Sequence, residues 1–506
     1  MTLPGWLEPL LDAERMRAAD TWAIETRGVP SLELMERAGE GLARLIAEVV
    51  PDGRIVVVCG KGNNGGDGFV AARLLRAAGR EVDVLLAAGR VELTPDGQEM
   101  ARRLGDPGPA AFDEALLADA GGVVDALLGT GFEGAPRAPL DAVIDAVNAA
   151  HLPVVAADVP SGVDASTGQV DGAAIRARAT AAFHRAKPGL WIHPGKGHAG
   201  DVHVIDIGIP GGAPGDAGAG LIGPGVLEGR TLRHAASTKF VSGAVAVLGG
   251  SSGLTGAPSL SAAAAMRGGA GYVTLAAPAS LETSLSARAP VETMLRGLPD
   301  AEGHLIPDAL EAALEALGST DAAVLGPGLG RDPGTQRLVR NLVERAAVAL
   351  VIDADGLNAL ADGFPGPLPG RDAPTVLTPH AGELGRLLGV PSSEVDGARL
   401  AAAREAAARS GAIVVLKGDD TIVATPGGFA AISPGDAPGL ATAGTGDVLA
   451  GVLAALLARG MPTFDAACAA VWAHRVAGRR AAERVGGADG VIASDVVAEL
   501  PRALVP

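Results

Sequence analysis

Aromatic side chains are scarce in this chain: they make up 3% of its 506 residues, with one tyrosine. Its cores must therefore be filled by Ala, Val, Leu and Gly, which let backbones approach closely. Cysteine is nearly absent too. Cys59 ends the apolar run "RIVVVC" and Cys468 lies in an Ala-rich helical run. Neither has the spacing of a metal site or a redox pair, so both read as small buried hydrophobes. Basic residues are outnumbered: 41 Lys and Arg face 58 Asp and Glu, a net charge of −17. That balance argues against general affinity for nucleic acid and leaves any anionic ligand to local donors. Those donors are backbone N–H groups, helix N-termini and single lysines. Long apolar runs are missing as well. "VLAGVLAALLA" (448–458) is too short to span a bilayer. The start, "MTLPGWLEPLLDAERMR", lacks a basic region followed by an apolar one, which argues against a signal peptide. The expectation is a cytoplasmic protein acting on small molecules, with no membrane and no nucleic-acid partner. Its Ala-rich apolar helices permit assembly, and a homo-oligomer is expected.

What is present is alternation. Residues 12–50 read as two helices, the second opening at Ser31. Short apolar runs then alternate with helical segments: "RIVVVCG", "EVDVLLAA", "GGVVDALLGTG", "LPVVAADVPSG" and "DVHVIDIGIP". Such alternation predicts an α/β fold with an open, largely parallel sheet. "PGGAPGDAGAGLIGPG" (210–225) has no periodicity and reads as a linker. Beyond it the pattern restarts with "GAVAVLGGSSG", "GYVTLAAP", "DAAVLGPGLG", "VALVIDADG", "APTVLTPH" and "AIVVLKG". A chain of this length exceeds one core, so two α/β domains are expected, at 1–215 and 225–506.

The run "GKGNNGGDGF" (60–69) follows the first strand, and its first six residues fit G-x-G-x-x-G. That spacing predicts a Rossmann-like domain whose glycines turn the chain beneath a dinucleotide pyrophosphate. The acid that should follow about 20 residues on is missing, since Glu81 and Asp83 lie at the wrong end of the second strand. Asp67 would also repel a pyrophosphate. Three further strand ends could converge here: "VDALLGTGFEGA" (124–135), "AADVPSGVDASTG" (156–168) and "HRAKPGLWIHPGKG" (184–197). Asn64, Asp125, Asp158 and Ser161 offer oxygens of low total charge, which suits a monovalent or hard cation better than zinc. Taken singly, each could merely cap a turn.

"GKGNNGGDG", "DALLGTGFEGA" and "DVPSGVDASTG", in this order after the leader "MRAAD…SLELMERAG", resemble the NAD(P)H-hydrate epimerase family over about residues 10–210. The resemblance implies that Asn63, Asn64, Gly65, Gly66 and Asp67 hold a hydrated nicotinamide nucleotide. Gly129, Thr130, Gly131, Phe132, Glu133, Gly134, Ala135 and Asp158 would join them. It also implies a potassium ion at Asn64, Asp125 and Ser161. Lys187 and Gly189 in "KPGL" match a family segment, although "FHR" before it departs from the usual small residues. Asp158 is the candidate proton relay for epimerisation.

In the second half, "LATAGTGDVLAGVLAALLARG" (440–460) is the strongest motif. Gly444 and Gly446 allow close backbone approach, and Asp447 stands where an apolar helix begins. The N–H groups there form an anion site, and an Asp so placed can take a proton from an attacking hydroxyl. No G-x-x-x-x-G-K-[ST] occurs, which excludes a P-loop. "VVLKGDDTIVATPGG" (414–428), "TPHAGE" (378–383) and "GGSSGLTGAPSLSAAAAMRGGAG" (249–271) add polar strand ends. Together these resemble the ADP-dependent NAD(P)H-hydrate dehydratase family from about 230 to 503, including "GPGLG" (326–330) and "DADGLNAL" (353–360). The resemblance implies a ribokinase-like domain. It places the AMP moiety on Lys417, Gly418, Asp419, Asp420, Thr421 and Gly446, and the hydrate on Ala257, Gly330, His380 and Asp447. "STKFVSG" (237–243) departs from the family's usual "HKG".

The implied reaction starts with Asp447 as base. It activates the ring hydroxyl for attack on the β-phosphorus of ADP, and phosphate is then eliminated to restore NAD(P)H, giving AMP. Magnesium is expected, with Asp355 and Glu383 as candidate holders. The alternative is a ribokinase-like small-molecule kinase fused to a non-catalytic nucleotide-binding module.

Overall fold

A computed structural model describes residues 4–87, 93–213, 217–239, 241–366 and 368–505. The domain edges expected at 1, 215 and 506, and Phe240 of "STKFVSG", lie outside the described residues. The chain separates into two compact units. One runs from Pro9 to Gly220; the other takes Leu221 onward together with Pro4–Glu8.

In chain order the first strands are β1 (Leu7–Leu10), β2 (Arg54–Cys59), β3 (Val82–Leu86), β4 (Ala110–Ala111), β5 (Ala120–Ala126), β6 (Val154–Ala157), β7 (Ala179–Phe183) and β8 (Asp201–Ile205). The first unit's sheet has the order β4-β3-β2-β5-β6-β7-β8, with every neighbour parallel. The strand order reverses between β2 and β5, so their carboxyl ends flank the topological switch point, where open α/β sheets bind ligands. Along β2 the side chains alternate between two cores. Ile55, Val57 and Cys59 pack with the helices Ser31–Val49 and Asn63–Ala77, whereas Val56 and Val58 pack with Leu140–Ala149. Both faces are covered, which is why the strand reads as an unbroken apolar run.

One expectation fails here. Only Gly60 and Gly62 of "GKGNNGGDG" lie in the bend between β2 and the helix; Gly65, Gly66 and Gly68 do not. The helix already begins at Asn63, with extended Gly62 as its N-cap. The glycines instead permit close packing. A Cβ on Gly65 would lie 2.2 Å from the Gly60 carbonyl oxygen, and one on Gly68 2.8 Å from Ala126 and 2.9 Å from Cys59.

The second unit contributes β9 (Ala219–Ile222), β10 (Ala244–Leu248), β11 (Tyr272–Pro278), β12 (Met294–Leu298), a small pair β13 (Asp300–Ala301) and β14 (His304–Leu305), β15 (Ala322–Leu325), β16 (Ala349–Ile352), β17 (Thr375–Leu377), β18 (Ile413–Leu416), β19 (Ile422–Ala424) and β20 (Ala430–Ile432). Its main sheet runs β1-β9-β20-β19-β18-β17-β16-β15-β10-β11-β12. From β18 to β12 the strands are parallel, and β18-β19-β20 are antiparallel. The 210–225 segment therefore is not wholly linker, because β9 lies inside it. Four buried residues broken by a glycine are too few to show a period.

The helices of this unit explain the shortage of aromatics. Thr445–Ala458 is buried along nearly its whole length and packs on Gly256–Arg267. At the crossing, a Cβ on Gly451 would meet the Ser261 carbonyl oxygen at 2.2 Å and Ala264 at 2.9 Å. Backbones this close leave no room for large rings.

Candidate active sites

In the first unit a cavity of about 1130 Å³ opens at the switch point. Asn63, Asn64 and Asp67 line it from the helix after β2, Gly129, Thr130, Gly131, Phe132 and Glu133 from the loop after β5, and Asp158 from the end of β6. Gly65, Gly66, Gly134, Ala135, Asp125 and Ser161 do not line it. Asn63 accepts a hydrogen bond from Thr94 Oγ1 at 2.8 Å.

Asp158 sits in the left-handed region, at φ 66°, which non-glycine residues occupy at a cost. Its carboxylate is fully engaged. Thr130 N–H donates to Oδ2 and Phe183 N–H to Oδ1, both at 3.2 Å, and Thr130 Oγ1 and Lys187 Nζ add short contacts. Lys187 is completely buried and also donates to Phe183 O at 2.9 Å. Two more carboxyls share this ammonium. Burial pushes Asp20 up to about 6, helped by Asp158 and opposed by Lys187. Burial, then Asp158 and Asp20, holds Asp67 well above the usual carboxylate range. Two carboxyls beside the Asp158–Lys187 pair, Asp20 and Asp67, are thus held above the usual carboxylate range.

Asp20 had been missed. Met16, Arg17, Asp20 and Ile24 all line the cavity from the leader. An acid four residues beyond a buried methionine lies on the inward face of a helix, and that spacing was the available signal.

Asn64, Asp125 and Ser161 do converge. Asn64 Nδ2 donates to Leu128 O at 2.8 Å and Ala157 O at 3.2 Å. Ser161 gives its N–H to Asp125 Oδ2 at 2.7 Å and its hydroxyl to Asp125 Oδ1 at 2.6 Å, and Leu128 N–H donates to Ser161 Oγ at 2.9 Å. Burial raises the Asp125 carboxyl to about 6 despite these bonds. Asn64 Oδ1 is buried with no hydrogen-bond partner. An orphaned amide oxygen beside carbonyl, hydroxyl and carboxylate oxygens of one net charge fits a monovalent cation.

In the second unit the polar strand ends fall in one row: Gly249–Ser251 after β10, Gly326–Gly330 after β15, Asp353–Asp355 after β16, Thr378–His380 after β17 and Lys417 after β18. Lys417 Nζ lies 2.8 Å from Asp353 Oδ1 and 3.6 Å from Glu383 Oε2. Both acids and Asp447 lift the ammonium above its usual range against the effect of burial. Asp447 occupies the first turn of Thr445–Ala458, behind left-handed Gly444 (φ 90°). No hydrogen bond or ion pair holds its carboxylate among the described residues. Burial pushes it up to about 7, with Asp353 adding and Lys417 opposing. Gly446 lies against this cluster: a Cβ there would be 3.3 Å from Lys417 Nζ.

The remaining expected residues divide. Gly330 N–H donates to Asp355 Oδ2 at 2.8 Å. Ala257 is the second residue of the helix Gly256–Arg267 and lies beside Gly328, where a Cβ would come within 3.5 Å of it. His380 caps its helix, accepting from Gly382 N–H at 3.0 Å and Glu383 N–H at 3.3 Å, while Glu383 accepts from His380 N–H. Asp420 is buried and bonded to Arg399 Nε at 3.0 Å. That leaves the backbone of Gly418 and Asp419 and the Thr421 hydroxyl as the exposed part of the segment. Thr421 donates to Gly418 O at 2.6 Å. Asp353 was not singled out from the sequence, although "VIDADG" places it at a strand's carboxyl end.

Two α/β units, each gathering carboxylates at the carboxyl ends of parallel strands, define a two-domain α/β enzyme. Residues 245–502 match the family described as NAD(P)H-hydrate dehydratase, and residues 31–189 match the one described as YjeF-related protein N-terminus. The bifunctional NAD(P)H-hydrate repair enzyme of Moorella thermoacetica is 40% identical, over 98% of this chain and 96% of that protein. The enzyme of that name from Escherichia coli is 34% identical, over 98% and 93%. The chain belongs to the bifunctional NAD(P)H-hydrate repair enzyme family. Among solved structures, the ADP/ATP-dependent NAD(P)H-hydrate dehydratase of Bacillus subtilis aligns at 28% identity over 55% of this chain and 94% of that one, with a TM-score of 0.47.

Proposed function

We propose that the first unit interconverts the R and S hydrates of NAD(P)H, and that the second dehydrates the S form at the expense of ADP. The observation that carries this reading is the unpartnered Asp447 carboxylate at the start of a glycine-opened helix. A base there takes the proton of the hydrate's ring hydroxyl as its oxygen attacks the β-phosphorus of ADP. AMP leaves, and the N–H groups at 444–446 face the charge that develops on phosphorus. Loss of phosphate from the ring and of a ring proton then restores the nicotinamide double bond. Asp353, Glu383 and Asp447 surround the ammonium of Lys417, and Asp355 adds to the charge felt by Asp447, so a diphosphate binds there only with added positive charge. Magnesium, when bound to the phosphate oxygens beside Asp355 or Glu383, supplies that charge.

In the first unit, Asp158 and Lys187 form the fixed ion pair at the floor of the cavity. Asp20 and Asp67 carry the protons that opening and reclosing the hydrated carbon require. Asn64, Asp125 and Ser161 would hold a potassium ion, which would stiffen the loops after β5 and β6. Cytoplasmic action as a homo-oligomer completes the reading, in keeping with small-molecule substrates and no membrane-crossing helix among the described residues.

The test feeds mixed hydrate epimers to the full chain with ADP and magnesium and follows NADH absorbance and AMP. Complete return of NADH is expected. Return of only the S fraction would leave the first unit without its proposed activity. A phosphorylated product that never yields NADH would favour the kinase alternative.

A further inference from the structure

Outside both sites, the second unit holds a cavity of about 340 Å³ lined by Arg230, Arg233, Arg267 and Arg459, with no carboxylate on its wall. In a chain with 58 acidic residues and a net charge of −17, four unshielded guanidinium groups are a local reversal of sign. A guanidinium does not readily relieve the repulsion by losing its proton, since arginine stays charged in proteins. Among the described residues none of the four takes part in an ion pair.

Part of the cluster has a structural explanation. The helices Gly256–Arg267 and Thr445–Ala458 both end here, and cations are favoured at helix C-termini. Arg459 Nη1 donates to Gly269 O at 2.7 Å, and Arg233 Nη2 donates to the same oxygen and to Ala270 O, both at 3.0 Å. Arg230 has no such role. Its Nε is buried without a hydrogen-bond partner, and no other side-chain hydrogen bond holds it among the described residues. Burial and the neighbouring Arg459 both disfavour its charge, as burial and Arg233 do for Arg459. A buried unpaired donor beside a like charge costs stability that a countercharge would relieve.

The rest of the wall is apolar, including Leu456, Pro501 and Leu504. We propose that this cavity binds an organic phosphate: the phosphoryl group bridges Arg230, Arg233 and Arg459, and the apolar portion lies against Leu456 and Leu504. A doubly charged phosphoryl group matches the guanidinium fork and the excess of charge better than a single carboxylate. Asp447 sits at the other end of Thr445–Ala458, a helix about 20 Å long at 1.5 Å per residue, so this is not the nucleotide subsite. The inference stands independently of the reading of the two active sites.

The probes are inorganic phosphate and phenyl phosphate, titrated by calorimetry into the full chain at constant ionic strength in chloride. Comparison with Arg230→Gln removes any signal from the active sites. Phenyl phosphate is expected to bind more tightly than inorganic phosphate, and its affinity is expected to fall about tenfold in Arg230→Gln, the scale of one charge-assisted hydrogen bond. Without phosphate the variant's Tm should equal or exceed the parent's, since a repulsion is gone. Phenyl phosphate should also protect Arg230 and Arg459 from phenylglyoxal, read by peptide mass. Equal titrations of parent and variant, or protection by chloride alone, would overturn the site. Equal binding of the two probes would overturn its organic half. Should Arg230→Gln fail to fold, exposed Arg233→Gln gives the same comparison.

Discussion

Lys417 Nζ lies 2.8 Å from Asp353 Oδ1, and this pair sits directly behind Gly446 at the start of the helix that carries Asp447. The ammonium therefore does two jobs. It neutralises a buried carboxylate, and it holds down the pKa of the proposed base.

The first prediction concerns Lys417→Met. Removing one partner of a buried pair leaves the other uncompensated, at a cost on the order of 3 kcal/mol. Tm should fall. The rising limb of the dehydratase pH profile should also move above that of the parent, because Asp447 loses the one cation that lowers its pKa. A drop in Tm with an unmoved profile would make Lys417 merely structural.

Asp447, at about 7, gives opposite signs for rate and stability. A base must be ionised, so kcat/KM for the S hydrate should rise about tenfold from pH 6 to pH 8. Stability runs the other way. The folded carboxyl is harder to ionise than the unfolded one, so its contribution is full below about pH 4 and declines as pH rises through about 7. Asp447→Asn should bind ADP, lose turnover by at least about a hundredfold, and melt above the parent at pH 8. A variant that turns over normally would remove Asp447 from the chemistry.

Both sites were legible in the sequence where chemistry sits at a strand's carboxyl end, since a short apolar run stopping at Asn, Asp, Gly or His marks that edge by itself. Asn64, Asp125, Asp158 and Lys417 stand out this way, and Asp447 by the glycines that open its apolar helix. Asp20 was not, because an acid in an amphipathic leader helix reads as solvent-facing until the sheet beneath it is known. The pairing of β1 with β9 was equally hidden. It joins residues more than 200 apart through two four-residue strands, and short strands carry too few side chains to display alternation. The glycines of the opening motif misled for a physical reason. Glycine marks either a turn or a close approach, and only the fold decides which.

That distinction is testable by alanine. Gly65→Ala places a methyl 2.2 Å from a backbone oxygen, and Gly68→Ala one 2.8 Å from Ala126. Each should destabilise by about 2 kcal/mol or more, since the contacts are to a rigid sheet. Gly62→Ala meets nothing within 4 Å at an ordinary φ of −83° and should change Tm little. Chemical denaturation compares the three. Equal tolerance of all would return the glycines to a turn role.

Potassium is expected to raise the melting temperature of the parent above that in sodium or choline chloride at equal ionic strength. Ligands that bind only the folded state stabilise by mass action. Asn64→Ala deletes the orphaned Oδ1 and Asp125→Asn deletes the charge, so both should lose the potassium increment. An increment that survives both substitutions would place the ion elsewhere.

The last prediction separates the carboxyls of the first cavity. Asp158→Asn strands a fully buried Lys187, so Tm should fall and interconversion of the hydrate epimers should slow by about a hundredfold or more. Asp20→Asn removes a carboxyl whose proton is lost near pH 6 and breaks no ion pair among the described residues. Its Tm should match the parent's below about pH 4. Above pH 6 the variant should melt higher than the parent, because burying the ionised Asp20 beside Asp158 is what costs stability there. Epimerisation, followed by chromatography of the two hydrates, should lose the inflection near pH 6 that the parent shows. A parent-like inflection in Asp20→Asn would remove Asp20 from the proton transfer.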